Sequence, residues 1–236
     1  MADGAMKDGF TTAKCAPFDE CRAPYEQSGL PFCAEAGLAR VRAAKDAVGA
    51  ERTLYVDCHS RFDLNSAFAV GEELKAAGAG WYEEPVDPVA EMDAMRQIRN
   101  ASELPNAGAE TACGMAIFKR LMEEGVLDIV MPDVKYCGGP VEAYRIGVAL
   151  ESDHPGSVSM HCPSGPLSQL ASVHATAAFG SLLPLEHAVY EAAWRPEVME
   201  PFEEIRDGEF LIPDGPGLGG RLDPAMVEMR GRRWEA

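Results

Sequence analysis

The sequence predicts an α/β protein, an incomplete (β/α)8 barrel of the TIM type, with about seven β/α units and a C-terminal appendage of short strands. The first observation behind this prediction is a regular recurrence of titratable residues, each of which closes a short apolar run. They stand about 25 residues apart, at Asp57, Glu83, Glu110, Asp133, His161 and Glu186. That interval suits one strand, one helix and two short loops. The second observation is that strand-like and helix-like segments alternate along the chain, an order that implies a parallel sheet.

Seven apolar runs predict the strands. In chain order they are TTAKCAP, TLYVDCH, AGWYEEP, NAGAE, LDIVMPDV, GSVSMHC and LLPLEH. The intervening segments place apolar residues at helical spacing. They predict helices over residues 34–48, 64–77, 89–100, 115–123, 140–151 and 167–179. Because the parallel strands of such a barrel all end at one rim, the six titratable residues are expected to meet there.

The strand count and the C-terminal sequence set the predicted domains. A closed barrel of this type has eight strands, one more than the apolar runs supply. The chain begins about where the helix after a first strand would end, so we expect one strand to be missing upstream. After Arg195 the period breaks, and IRDGEFLIPDGPGLGG alternates apolar residues with turn signals. We therefore assign residues 1–190 to a barrel domain and residues 191–236 to an appendage of short strands.

Composition limits the class of partner and the compartment. The formal net charge is −17, and the longest basic run is Arg232–Arg233, which argues against a nucleic-acid surface. No apolar run approaches the roughly 20 residues that span a bilayer, and the first residues lack a signal-peptide core. The seven cysteines form no CxxC pair, and an odd number fits no complete disulfide framework. We expect reduced thiols in a cytoplasmic protein.

Three carboxylates at consecutive strand ends predict a metal site. Asp57, Glu83 and Glu110 are expected to face one another across the barrel mouth, where they would offer the hard oxygen ligands that Mg²⁺ prefers. The alternative is that each carboxylate caps the helix that follows it. Recurrence at the same place in three units favours the metal. Charge favours it too, because three carboxylates would repel an anionic substrate unless a divalent cation offset them.

Two histidines are candidates for acid/base chemistry. His161 and Asp133 close neighbouring strands, so the carboxylate could fix the imidazole tautomer and make His161 a general base. His59 lies two residues after Asp57, which places both side chains on one face of the strand, beside the metal. The alternative for His59 is a loop histidine bound to backbone.

The alternation of side chains along a strand predicts opposite directions for the adjacent residues Glu83 and Glu84, and a lysine is a further candidate at another strand end. Glu83 is two residues from Trp81 and is expected to face inward, whereas Glu84 should point towards the helix layer and form a structural pair. Lys14 closes the first predicted strand. It could balance a substrate carboxylate or be solvated, as lysines in such loops often are.

These residues resemble the barrel domain of the enolase superfamily, in its mandelate racemase-like branch. The resemblance rests on AKCAP, VDCHSRF, WYEEPV, AGAE, MPDVKYCGG, MHCPSGP and LPLEH. Together these segments run from about Gly9 to His187 in the family's order and spacing. Within the branch, the DxH form of the third barrel strand and the HCPSGP segment are most similar to galactonate-type sugar-acid dehydratases.

The resemblance implies a role for each candidate. Asp57, Glu83 and Glu110 would bind Mg²⁺, and Asp133 and His161 would match the family's Asp–His dyad. In the same way, His59 would match the general acid of the DxH motif. Glu186 would match the glutamate that hydrogen-bonds the activated substrate carboxylate.

The function implied is Mg²⁺-dependent removal of water from an aldonic or aldaric acid, through an enediolate, to give a 2-keto-3-deoxy acid. One alternative is an epimerase or racemase of a 2-hydroxy carboxylate. Racemases of the branch carry a Lys-x-Lys pair, and here Ala16 stands where the second lysine would be. Another alternative is a non-catalytic barrel fragment or subunit.

The sequence departs from the family pattern at its N-terminus. By the resemblance, full-length members carry a capping domain of α+β structure before the barrel, and we expect that domain and the first barrel strand to be missing from this chain. The appendage resembles the part that packs on the cap, so Phe210, Leu211 and Ile212 would lack their usual cover. We therefore expect a small-molecule sugar acid as substrate, together with a homo-oligomer or an association with the missing capping region.

Overall fold

A computed structural model describes residues 2–21 and 32–231. Its helices are α1 (Ala2–Lys7), α2 (Phe32–Val48), α3 (Leu64–Ala76), α4 (Met92–Ala101), α5 (Met115–Glu123), α6 (Pro140–Asp153), α7 (Pro166–Phe179) and α8 (Pro224–Arg230). Its strands are β1 (Thr12–Cys15), β2 (Thr53–Asp57), β3 (Trp81–Glu83), β4 (Asn106–Gly108), β5 (Ile129–Val130), β6 (Met199–Glu200), β7 (Ile205–Arg206), β8 (Glu209–Phe210) and β9 (Arg221–Leu222). The predicted alternation of strand and helix is confirmed from β1 to α6.

The main sheet is parallel and follows chain order, β1-β2-β3-β4-β5. Its register sets the depth of the side chains at the rim, because Asp57 pairs directly with Glu83. One core cluster fills the space between the sheet and the helices and includes Val41, Leu74 and Phe118. A second cluster lies on the inner face of the sheet, where Trp81, Ala107, Ile129 and Met131 pack together. An apolar interior enclosed by strands and surrounded by helices is the arrangement of a (β/α) barrel, and the predicted fold class is confirmed.

The last two predicted strands make fewer backbone hydrogen bonds to their neighbours than expected. The segment GSVSMHC makes a single parallel bridge, between Val158 and Val130. The segment LLPLEH runs beside it, with the Glu186 amide donating to the Met160 carbonyl at 3.1 Å. Pro184 has no N–H, so it cannot donate a backbone hydrogen bond to the neighbouring segment. Its carbonyl accepts a hydrogen bond from the Ser159 hydroxyl at 2.8 Å. Five of the seven predicted strands therefore form the regular sheet, and the last two segments follow the predicted path beside it with fewer backbone contacts.

The helix bounds agree with the prediction to within two residues except at one helix start, and one further helix is present. The helix expected from Val89 begins at Met92, because the Asp87 carboxylate accepts from the amides of Val89 and Ala90 and holds residues 87–90 in a turn. Helix α1 was not predicted. Neither difference moves a rim residue.

The C-terminal residues form short antiparallel pairs. Strands β7 and β8 make a hairpin whose turn is Asp207–Gly208, with positive φ angles of 51° and 77°. Strand β6 pairs with β9. The small strands predicted after residue 190 are therefore present, with Phe210 partly exposed and Ile212 exposed.

The cysteine prediction needs a correction. Cys21 and Cys33 form a disulfide with a Cα–Cα distance of 5.6 Å, which ties the loop after β1 to α2. Cys15, Cys58, Cys113, Cys137 and Cys162 are free. Spacing alone could not reveal this pair, because its members are brought together by the packing of α2 beside β1. Within the described residues, no helix is long and apolar enough to cross a bilayer.

Candidate active site

Three carboxylates gather at the carboxyl ends of consecutive strands. Asp57 ends β2, Glu83 ends β3, and Glu110 follows β4 by two residues. One oxygen from each lies within 4.8 Å of the others. Asp57 and Glu83 are buried, with exposed fractions of 3% and 0%. None of the three caps a helix in the structure: α3 is capped by Asp63, and α4 and α5 have no side-chain cap.

The backbone at Glu110 is shaped by its neighbour in space, Glu84. The Glu84 carboxylate accepts hydrogen bonds from the amides of Ala109 at 2.7 Å and of Glu110 at 3.3 Å. A side chain at Gly108 would meet the Glu84 Cγ at 2.7 Å, so glycine permits this approach. Burial raises the pKa of Glu84 to about 7. Glu84 was expected to form a structural pair in the helix layer; it instead binds the backbone that carries Glu110.

Lys14 enters the carboxylate cluster from β1. Its Nζ lies 2.7 Å from Oε1 of Glu83, 2.7 Å from Oε1 of Glu186 and 3.5 Å from Oδ2 of Asp57. Burial alone would lower the pKa of Lys14, but these three carboxylates raise it well above its usual value. Lys14 is therefore a partly buried, ion-paired cation with 16% of its side chain exposed, not a solvated loop lysine.

Glu83 has the most enclosed position in the cluster. Burial, together with the charges of Asp57 and Glu186, raises the pKa of the Glu83 carboxyl, whereas Lys14 opposes this rise. The Trp81 indole N–H donates to its Oε2 at 3.1 Å. Tyr55 stacks on Trp81, with 3.6 Å between the ring centroids. The orientation of Glu83 is thus fixed from the barrel interior.

His161 lies between two carboxylates. Its Nδ1 is 2.9 Å from Oδ2 of Asp133, and its Nε2 is 2.9 Å from Oε2 of Glu110. The carboxylate of Asp133 can only accept, so Nδ1 carries the proton and Nε2 faces the cluster. Burial favours the neutral ring, but the contacts with Asp133 and Glu110 outweigh it and raise the pKa of His161 to about 9.

His59 contacts the cluster at another carboxylate. Its backbone is left-handed, with φ of 47°, and its Nε2 lies 3.1 Å from Oδ2 of Asp57. The other ring nitrogen, Nδ1, lies 2.7 Å from Oδ1 of Asp19. The hydrogen bond with Asp57 is the largest cause that raises the pKa of His59 to about 10. His59 thus contacts a carboxylate on each side, and the alternative of a loop histidine bound to backbone does not describe it.

Asp19 is a site residue that the sequence did not reveal. It lies in the loop after β1, outside the repeating strand ends, so the period gave no signal for it. Its only sequence hint is its position five residues after Lys14, in the loop at the same rim.

A cavity of about 790 Å³ opens onto several of these groups. Lys14, Asp57, His59, His161 and Glu186 line its polar part, and Tyr55, Trp81 and Met131 line an apolar part. A volume of this order accommodates a small organic molecule beside the carboxylates. Five of the candidate residues therefore share one accessible cavity, whereas Glu83, Glu110 and Asp133 do not line it.

The donor set fits a hard divalent cation. Three carboxylates with oxygens this close, without a cysteine among them, match the ligands of Mg²⁺ better than those of zinc. Oε2 of Glu110 is buried, and no described group donates a well-aligned hydrogen bond to it, although the His161 ring is near. A carboxylate oxygen in this state is suited to a cation.

The family is decided by comparison with known sequences. The profile of the family described as "Enolase C-terminal domain-like" matches residues 1–226. The chain belongs to the enolase C-terminal domain-like family. The residues quoted for the resemblance thus identified the family correctly.

Two curated relatives of this family member carry dehydratase names. A D-xylonate dehydratase from Haloferax volcanii is 32% identical over 188 residues, which are 80% of this chain and 45% of the relative. An arabinonate dehydratase from Saccharolobus solfataricus is 29% identical over 195 residues, 82% of this chain and 51% of the relative. The chain spans about half the length of the curated relatives it matches.

The fold agrees with a solved structure. A mandelate racemase/muconate lactonizing enzyme-like protein from Rubrobacter xylanophilus superimposes with a TM-score of 0.87 and is 30% identical. The alignment covers 98% of this enolase C-terminal domain-like chain and 60% of that protein.

Proposed function

We propose that this chain carries the catalytic barrel of a Mg²⁺-dependent dehydratase that removes water from a sugar acid. The observation that carries the proposal is the placement of two histidines on one carboxylate cluster: His161 contacts Glu110, and His59 contacts Asp57. Dehydration of a polyhydroxy acid needs a base for the α-proton and an acid for the leaving hydroxyl. The names of the D-xylonate and arabinonate dehydratases support the same class of substrate.

Asp57, Glu83 and Glu110 are the proposed metal ligands. When bound there, a divalent cation would polarise the substrate carboxylate and make the neighbouring C–H more acidic. In the structure, the Lys14 ammonium offsets part of the negative charge of the same cluster. We infer that it would turn to the substrate carboxylate once a cation offset that charge.

His161 is the proposed general base, a role that requires Nε2 to be unprotonated. The Glu110 carboxylate is one of the groups that raise the pKa of this ring, and a cation bound by Glu110 would offset that charge. Nε2 of His161 takes the proton from the α-carbon, and the electron pair of that C–H bond becomes the C=C bond of an enediolate. Asp133 holds the opposite ring nitrogen, which keeps the basic nitrogen directed into the cavity and stabilises the imidazolium that forms.

His59 is the proposed general acid. Its Nδ1 lies 2.7 Å from the Asp19 carboxylate, which is not one of the proposed metal ligands and favours the protonated ring that a general acid requires. The enediolate expels the 3-hydroxyl while His59 donates a proton to it, so the products are water and an enol that tautomerises to the 2-keto-3-deoxy acid. General acid assistance of this kind contributes about 10²- to 10⁴-fold.

Glu186 is proposed to bind the activated carboxylate of the substrate. Its Oε2 accepts from the Cys162 amide at 2.9 Å and its Oε1 is paired with Lys14, so its orientation is set before substrate enters. Only a protonated Glu186 carboxyl could donate a hydrogen bond to the substrate carboxylate, and in that form it would stabilise the charge that develops on the enediolate oxygens.

The direct test is a screen of this chain against aldonic and aldaric acids with Mg²⁺, detecting 2-keto-3-deoxy products. We expect at least one acid to give product, and we expect EDTA to abolish the reaction. A product that retains every hydroxyl would support the epimerase alternative. Silence across the library from a folded sample that binds Mg²⁺ would contradict dehydration by this chain and favour the non-catalytic subunit.

A further inference from the structure

A buried ion pair joins two parts of the C-terminal segment. Arg195 and Glu203 meet through two parallel contacts, Nε to Oε2 at 2.9 Å and Nη2 to Oε1 at 2.6 Å. Their side chains are 15% and 1% exposed. A two-point contact of this kind fixes the plane and direction of the guanidinium, which a single contact to a lysine would not do.

The third nitrogen of that guanidinium reaches the barrel. Nη1 of Arg195 donates to the Ser164 carbonyl at 2.6 Å. Ser164 lies in the four-residue connection 162–165, which links His161 to the first residue of α7. Pro163 and Pro166 restrict the backbone on both sides of Ser164, so fixing its carbonyl restrains the whole connection.

The same connection controls two residues of the candidate site. His161 immediately precedes it, and the amide of its first residue, Cys162, donates to Oε2 of Glu186 at 2.9 Å. Oε2 of Glu186 in turn lies 3.7 Å from Nε2 of His161. A shift of the connection would therefore change the direction of the Cys162 amide and, with it, the distance between Glu186 and His161.

We propose that Arg195, held in place by Glu203, is a positioning residue that fixes connection 162–165 and through it the relative placement of His161 and Glu186. This inference rests on the proposed function of those two residues. It assigns the C-terminal segment a part in the site, although Arg195 lies nine residues beyond Glu186, the last residue of the strand-end series, and its described contacts include no carboxylate of the cluster.

The effect on the site can be separated from the effect on stability. Replacing both partners of a buried ion pair by apolar side chains of similar volume is often neutral for stability, whereas removing one partner leaves a buried charge. The double variant Arg195→Met/Glu203→Met therefore removes the donor to Ser164 without leaving Glu203 uncompensated. Arg195→Lys keeps the charge but cannot contact Glu203 at two points and Ser164 at the same time.

The matched control is Arg221→Met. Arg221 belongs to the same C-terminal segment and pairs with Glu200 at 3.6 Å, but both side chains are more than four-fifths exposed, at 84% and 81%. Each variant would be compared with the parent chain in thermal midpoint, in hydrogen exchange of the peptide covering residues 160–166, and in kcat and KM for the best acid of the screen.

We expect the double variant to keep a midpoint close to that of the parent, to exchange faster at residues 160–166, and to lose kcat by roughly 10- to 100-fold with little change in KM. Arg195→Lys should shift exchange and kcat in the same direction. Arg221→Met should resemble the parent in every measurement.

Parent-like exchange at residues 160–166 in both Arg195 variants would overturn the proposal, and so would faster exchange with parent-like kcat. If the parent chain has no dehydratase activity, the proposed function fails on the screen, while the exchange measurement still decides whether Arg195 fixes the connection. If the double variant does not fold, Arg195→Lys supplies the same comparison.

Discussion

At the scale of single residues, the site depends on cations that share carboxylates. The buried His161 and the exposed His59 each lie between two carboxylates, and the partly buried Lys14 lies among three. Such contacts fix the direction of each cation, and for His161 and Lys14 they also offset the cost of burial. Because the two rings contact different carboxylates, each histidine can be replaced without removing the contacts of the other. The two proposed roles can therefore be tested separately.

We expect His161→Asn to abolish both exchange of the substrate α-proton with solvent and formation of the keto acid, since the base is lost. His59→Asn should still exchange the α-proton but eliminate water about 10²- to 10⁴-fold more slowly, since only the acid is lost. Proton NMR in D₂O measures the exchange, and a keto-acid assay measures elimination. Equal loss of exchange in the two variants would contradict this division of roles.

A third histidine, His187, is expected to make the stability of the fold depend on pH. Burial lowers the pKa of His187 below its ordinary value of 6.5, with Glu203 opposing and Arg195 reinforcing the shift. The unfolded chain therefore binds a proton on this ring at a higher pH than the folded chain does. The stability contributed by neutral His187 is present above about pH 6.5 and is lost as the pH falls through and below that value.

His187→Gln should reduce this loss of stability on going from about pH 7.5 to about pH 5.5 by at most about 1.4 kcal/mol per pH unit. Urea unfolding in EDTA at several pH values provides the measurement. His154→Gln is the control, because His154 is exposed in a turn. An identical pH profile for His187→Gln and the parent would contradict the shifted pKa.

At the scale of elements, strand register and helix caps place the rim residues. The pairing of Asp57 with Glu83 follows from two apolar strands in parallel register, and the Asp63 carboxylate, which accepts from the Ser66 amide at 2.8 Å, fixes where α3 begins. Because α3 packs buried residues such as Val70 and Leu74 on the sheet, its start is coupled to the core. The cap of α8 has the same chemistry without that coupling, since Asp223 accepts from Met226 at 2.9 Å on a helix that buries no residue.

Asp63→Ala should lower the free energy of unfolding by about 1 kcal/mol, because the first turn of α3 loses its acceptor. Asp223→Ala should change it by less than about 0.5 kcal/mol, because fraying of α8 exposes little buried surface. Chemical denaturation of both variants tests the contrast. Equal losses would show that α8 is as strongly coupled to the core as α3.

At the scale of the whole molecule, the barrel collects negative charge at one rim within a chain of net charge −17. A cation that binds the folded site and not the unfolded chain stabilises the fold by mass action. Metal binding is therefore measurable on the protein itself, without a substrate.

We expect Mg²⁺ at 100 times its Kd to raise the free energy of unfolding by about 2.7 kcal/mol, and EDTA to reverse the gain. Glu110→Gln should lose most of this gain, since one ligand carboxylate becomes an amide. Glu123→Gln, on the exposed side of α5, should keep it. Thermal unfolding with and without Mg²⁺ is sufficient, and an unchanged midpoint in the parent chain would contradict the metal site.

Much of the fold could be predicted from the sequence, because its signals are local. Apolar runs and helical spacing placed β1 to β5 and most of the helices within a few residues of their observed bounds. The exceptions have local causes that outweigh hydrophobic pattern: Pro184 removes a ladder donor, and Asp87 holds a turn where helix was expected. The candidate rim residues were predictable for the same reason, since a repeated strand end is a repeated position in a barrel.

The sequence by itself determined the β/α order, the family and the set of charged residues at the rim, because period, motif and spacing are properties of neighbouring positions along the chain. Only the tertiary structure decided that Asp19 holds His59, that Glu84 binds the backbone of Glu110, that Cys21 bonds to Cys33, and that Arg195 reaches Ser164. These contacts depend on the paths of loops and on packing between elements. How much each contact contributes depends on the burial and the relative orientation of its two groups. Spacing along the chain encodes neither.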